Sequence, residues 1–84
     1  MDINDLRKKI DQIDQKMKEL FIERMGISQQ IGQYKKEHHL NILDVKREEE
    51  IILNKKSQFE QTELWPYYES FIRHLMDLSK EIQK

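Results

Sequence analysis

From Ile3 to Tyr34 the apolar residues of this chain recur at alternating spacings of three and four, without a slip. The series runs Ile3, Leu6, Ile10, Ile13, Met17, Leu20, Arg24, Ile27, Ile31, Tyr34, and its one charged member is an arginine. This rhythm sets every member on one face of a helix. Gly26 and Gly32 lie inside it, and each costs ~1 kcal/mol in a helix interior. The phase nevertheless runs through both, which a loop would scramble. The spacing therefore predicts one helix from about Ile3 to about His38. At a rise of about 1.5 Å per residue it would measure about 54 Å. A compact domain of this length has a radius of gyration near ~12 Å and is only about 30 Å across. The helix must overhang anything its own chain can fold beneath it. Its apolar stripe then calls for a partner, most simply a second copy, and the expected state is an obligate homodimer.

The rest of the composition agrees with an all-α chain. Of 84 residues, 37% are hydrophobic and 37% charged, with one proline and two glycines, too little turn chemistry for a β-fold. The length allows a single domain spanning 1–84. The formal net charge of −1 provides no basic field for nucleic acid or a membrane surface. No apolar run approaches the ~20 residues that span a bilayer, and no signal-peptide core follows Met1. The absence of cysteine removes disulfide and thiolate chemistry and makes the cytoplasm the expected compartment. His38, His39 and His74 lack metal-ligand spacing, so no metal site is expected.

Beyond a short connection over 39–43, Asp44 is a good N-cap, with Glu48, Glu49 and Glu50 in the first two turns behind it. A second helix is expected from about Val45 to Phe59, with Val45, Ile52 and Phe59 at heptad spacing and Glu48 on the same stripe. The third is expected over 63–83, capped by Thr62, with Pro66 tolerated in its first turn. Leu64, Tyr68, Phe71, Leu75, Leu78 and Ile82 form its main stripe, flanked by a second line of Ile72, Met76, Ser79 and Gln83.

Several polar residues sit on or beside these stripes. Arg24 keeps its proton, so burial requires an anion, and its neighbours on the stripe supply none. Either it snorkels to water or pairs with a distant carboxylate, or it is held ready for an anionic ligand. Lys35 lies eleven residues on, about three turns, and points to the same side, about 16 Å away. Arg7 is 28 residues before Lys35, about 42 Å along the helix, and cannot share that site within one chain. If two first helices cross antiparallel near Met17 and Lys18, Arg7 of one lies opposite residues 28–30 of the other, midway between Arg24 and Lys35. Arg47 and Glu48 open the second helix, and Ser79 and Gln83 stand at i, i+4 near the end of the third. Taken singly, each of these reads as an ordinary surface or helix-end residue. Together they suit a small polyanion bearing a hydroxyl. General acid–base and nucleophilic chemistry lack their usual sets here: there is no Ser–His–Asp group, no paired carboxylates and no phosphate-binding glycine loop.

The chain resembles the all-helical (AroQ-class) chorismate mutases over essentially its whole length. The resemblance is carried by Leu6-Arg7-Lys8-Lys9-Ile10-Asp11-Gln12-Ile13-Asp14, Glu23-Arg24, Ile31-Gly32-Gln33-Tyr34-Lys35, Asp44-Val45-Lys46-Arg47-Glu48 and Ser79-Lys80-Glu81-Ile82-Gln83, in order. It implies an intertwined homodimer of three-helix chains with two composite sites. It also implies an isomerase that rearranges chorismate to prephenate in aromatic amino-acid biosynthesis, without a cofactor. By the same resemblance, Arg24, Arg47 and the partner's Arg7 would hold the two substrate carboxylates, assisted by Ser79. Lys35 and Gln83 would donate to the ether oxygen. Glu48 and the Asp44 backbone would accept from the ring hydroxyl. Isochorismate–pyruvate lyase, on the same fold, is the nearest alternative. A non-catalytic helical dimerisation module, or a degenerate regulatory domain, is a second. The overhanging helix makes one prediction of its own: light scattering at micromolar concentration should return the mass of a dimer, and a monomeric mass would refute it.

Overall fold

The computed structural model describes residues 2–84, which form three helices and no strand. α1 spans Ile3–Glu37, α2 Val45–Gln58 and α3 Trp65–Gln83. α1 is unbroken through both glycines, and the fold measures 54 × 26 × 16 Å with a radius of gyration of 16.1 Å. That radius is well above the ~12 Å of a compact domain of this length. No helix among the described residues is long and apolar enough to cross a membrane.

The ends of the helices follow from local chemistry. The Asp2 carboxylate accepts from the Asp5 amide at 2.9 Å and starts α1, with Lys35 and Lys36 in the last turn facing the negative end of its dipole. α1 stops in a Schellman turn. His39 N–H donates to the Lys36 carbonyl and Leu40 N–H to the Lys35 carbonyl, with His39 in the left-handed region at φ 55°. Glycine usually occupies that position, but histidine is among the residues that tolerate it. Asp44 caps α2 as expected, accepting from the Arg47 amide at 3.0 Å.

The start of α3 differs from the expected one. Thr62 is not the cap: the N-cap is Leu64, which makes no side-chain capping bond, and Pro66 stands in the first turn. Residues 62–64 form a turn that swings Trp65 inward, where its indole is 8% exposed and meets the Phe59 ring edge-on at 5.5 Å. Burying an indole outweighs the ~1 kcal/mol of a capping hydroxyl. The neighbouring ends moved little: α1 and α2 each stop one residue short of expectation.

α3 packs against both other helices, and the core is the cluster of Ile52, Trp65, Ile72 and Met76, flanked by Ile51, Phe59, Tyr68 and Leu75. The line Ile72, Met76, Ser79 that sequence reads as secondary is thus the buried one. The main stripe of α3 is only partly covered, and Phe71 is 44% exposed. On α1 the face turned to α3 is not the apolar stripe but Ser28 and Gly32, the two buried residues of that helix. Residues 2–23 are all exposed, Ile3, Leu6, Ile10, Ile13, Met17 and Leu20 among them.

Gly32 allows a close approach. A Cβ there would stand 2.8 Å from Gln83 Cα and 2.9 Å from its carbonyl oxygen, whereas one at Gly26 meets nothing within 4 Å. The two glycines should therefore respond oppositely to alanine. Gly26→Ala should stabilise the fold by up to ~1 kcal/mol through helix propensity. Gly32→Ala should destabilise it by about 1–3 kcal/mol through overpacking. Urea unfolding followed by circular dichroism separates the two, and equal effects would mean that α1 and α3 do not meet at Gly32.

Candidate functional site

The crossing of α3 over α1 at Ser28 and Gly32 places one cation on either side of the contact. Arg24 lies one turn before Ser28, and Lys35 just beyond Gly32; both side chains are half-buried. They do not face each other across open space, as their spacing along α1 suggests. Each meets a polar side chain of α3 instead. Arg24 Nη1 donates to Ser79 Oγ, and Ser28 Oγ donates to the same oxygen at 3.0 Å. Ser79, 7% exposed, thus has both lone pairs engaged, which leaves its hydroxyl proton free to donate elsewhere.

Lys35 Nζ donates to the Ile42 carbonyl at 2.9 Å and to Gln83 Oε1 at 3.3 Å. An ammonium only donates, so it fixes the Gln83 amide with its oxygen inward and its NH2 group outward. One further N–H of Lys35 and the amide of Gln83 are then available to a common acceptor. The Ile42 carbonyl is brought to Lys35 by the turn at His39, which returns the chain over the last turn of α1. Among the described residues neither Arg24 nor Lys35 has a carboxylate partner, so two half-buried cations stand without an anion.

α2 contributes its first turn. The Asp44 carboxylate is engaged as the helix cap, and Arg47, whose amide it receives, is exposed. Glu48 is half-buried, with Oε1 2.8 Å from Lys80 Nζ of α3. The hydrogen bond from Lys80 to Glu48 raises the lysine pKa above its ordinary value, with a smaller lift from Asp77, against a partial loss of hydration. Arg7 stands on the exposed stretch of α1, 17 residues before Arg24 and about 25 Å from it along the axis. One chain does not bring it to the others.

Three participants escape a reading of the stripes. Ser28 is signalled only by its i, i+4 spacing to both Arg24 and Gly32, which marks a narrow face between two cations. The Ile42 carbonyl carries no sequence signal. Lys80 reads as a helix-end charge until α2 is folded beside it. A shallow hollow on α3, lined by Pro66, Glu69, Arg73 and His74 among others, contains none of these groups. Its Arg73 and Glu69 are paired with each other at 2.9 Å, as expected of a solvated helix surface.

What the arrangement offers is a set of donors, not a proton-transfer pair or a nucleophile: two unpaired cations, a serine hydroxyl and an amide, beside one lysine-bound carboxylate. Residues 6–84 match the family described as chorismate mutase type II. Among solved structures, a conserved hypothetical protein from Pyrococcus furiosus is similar, with 33% sequence identity and a TM-score of 0.79. The match covers 98% of this chain and 95% of that one.

Proposed function

This chain belongs to the chorismate mutase type II family, and from that membership and the donor geometry we propose that it is an isomerase converting chorismate to prephenate, one step in phenylalanine and tyrosine biosynthesis in the cytoplasm. The observation that carries the reading is the pair of half-buried cations without carboxylate partners, Arg24 and Lys35, each tied to a polar side chain of α3. A dicarboxylate supplies the anions they lack. The 84 residues act as one catalytic domain, in an intertwined homodimer. The exposed apolar residues of α1, from Ile3 to Leu20, support that assembly, since a second copy covers them most simply. Antiparallel crossing of two α1 helices brings the partner's Arg7 beside Arg24 and Lys35.

In this reading Arg24, Arg47 and the partner's Arg7 bind the two carboxylates, and Ser79 donates its free proton to one of them. The grip folds the enolpyruvyl arm over the ring, an arrangement that the free substrate seldom adopts, and so lowers the barrier by orientation. As the C–O bond breaks and the C–C bond forms, negative charge gathers on the ether oxygen. Lys35 and the outward NH2 of Gln83 are the donors placed to receive it. Glu48 and the Asp44 backbone accept from the ring hydroxyl. The rearrangement is unimolecular and exchanges no proton with the protein, which agrees with a site built of donors and lacking a nucleophile.

The direct test is to incubate purified protein with chorismate, follow loss of its absorbance, and acidify to convert prephenate to phenylpyruvate. Phenylpyruvate supports the proposal; consumption of isochorismate with pyruvate release, and not of chorismate, reassigns the site to the lyase. Lys35→Ala should lower kcat by about two orders of magnitude or more, and near-normal turnover removes Lys35 from the mechanism. Because an amide at position 83 donates at any pH, activity should persist from pH about 6 to about 8, where free carboxylic acids are ionised. A steep loss of rate across that interval contradicts the role given to Gln83.

A further inference from the structure

Lys80 stands next to Ser79, one turn before Gln83, and reaches across to the first turn of α2. Its ammonium lies 2.8 Å from Glu48 Oε1 and 3.3 Å from Asp77 Oδ1. The side chains of Lys80 and Glu48 are 25% and 24% exposed, whereas Asp77 is 67% exposed. The pair is therefore more sheltered than Arg73–Glu69 or Lys84–Glu81. Asp77, on α3 itself, is the second carboxylate that the ammonium meets. Lys80 meets Glu48 through Oε1, and Glu48 has no second ion-pair partner among the described residues.

We propose that Lys80 is a positioning residue for substrate binding: it fixes the Glu48 carboxylate with one oxygen turned to a ligand hydroxyl, and cancels a negative charge that would otherwise repel a dianion. This rests on the mutase reading and on the acceptor role of Glu48 within it. Two physical effects are combined. A carboxylate held through one oxygen presents the other in a defined direction, so less freedom is lost when the hydroxyl binds. The balanced Glu48–Lys80 pair also leaves the charges of Arg24, Lys35 and Arg47 unopposed toward two incoming carboxylates.

The test uses Lys80→Met, which keeps the apolar stem and the helix propensity but removes the charge. Steady-state kinetics with chorismate should show KM raised about tenfold, in the range for a lost hydrogen bond to a charged group, with kcat changed less than about threefold. Lys80→Arg should restore KM. In a Glu48→Gln background, where only the exposed Asp77 carboxylate is left to Lys80, Lys80→Met should change KM by less than about threefold. A lower melting temperature with unchanged KM would reduce Lys80 to a tie between α2 and α3 and overturn the proposal. An equal rise in KM in both backgrounds would overturn it too, since Lys80 would then act without Glu48. Calorimetric titration with prephenate, which retains the ring hydroxyl and both carboxylates, reads the same effect without turnover. Prephenate binding that weakens in Lys80→Met, in a wild-type protein that does not turn chorismate over, sinks the mutase reading and upholds the role of Lys80. No weakening sinks that role alone, and a wild-type protein that binds neither compound sinks both.

Discussion

The close contact between α1 and α3 at Gly32 and Ser28 is the constraint on which the rest of the structure depends. Two helices whose backbones nearly touch leave no room between them for long side chains, so the polar groups beside the contact are pressed into one another's company. Arg24 meets Ser79 on one side of the crossing and Lys35 meets Gln83 on the other. A bulkier residue at position 32 would lift the last turn of α3 and carry Gln83 away from Lys35. The glycine that weakens α1 as a helix is thus the one that lets it serve as one wall of the candidate site.

That contact also explains an apparent contradiction in α1. The helix has a regular apolar stripe, yet its own chain packs on a different face, made of a serine and a glycine. The stripe is left outside, and the first twenty or so residues of the helix are exposed, covered by none of the described residues. In the proposed dimer a second copy would cover that length, and its Arg7 would join the two cations that have no carboxylate partner among the described residues.

Sequence alone makes the existence of the helices legible, and most of their ends, because periodicity and capping are local. Asp44 captures the Arg47 amide within one turn, and the 35 residues of α1 keep phase whatever packs on them. The start of α3 is not legible, since Thr62 is a better cap than Leu64 by local chemistry and loses to the burial of Trp65. The covered face of α3 is equally hidden. Both of its apolar lines have helical spacing, and only the position of α1 and α2 selects Ile72, Met76 and Ser79. Of the candidate site residues, Arg24 meets Ser79, Lys35 meets Gln83, Glu48 is tied to α3 by Lys80, and Arg7 stands apart on the exposed stretch of α1.

What the sequence determined by itself was therefore one long helix, two shorter ones, and the presence of a cation, Arg24, where an apolar residue belongs. Each of these rests on interactions between residues three or four positions apart, and such spacings are written in the chain. The tertiary structure decided which polar groups meet. Arg24 with Ser79, Ser28 with Ser79 and Lys35 with Gln83 are separated by 55, 51 and 48 residues. Contacts over such separations depend on where two helices cross, and that crossing was set by a missing side chain at Gly32, whose meaning appears only when α3 lies against it.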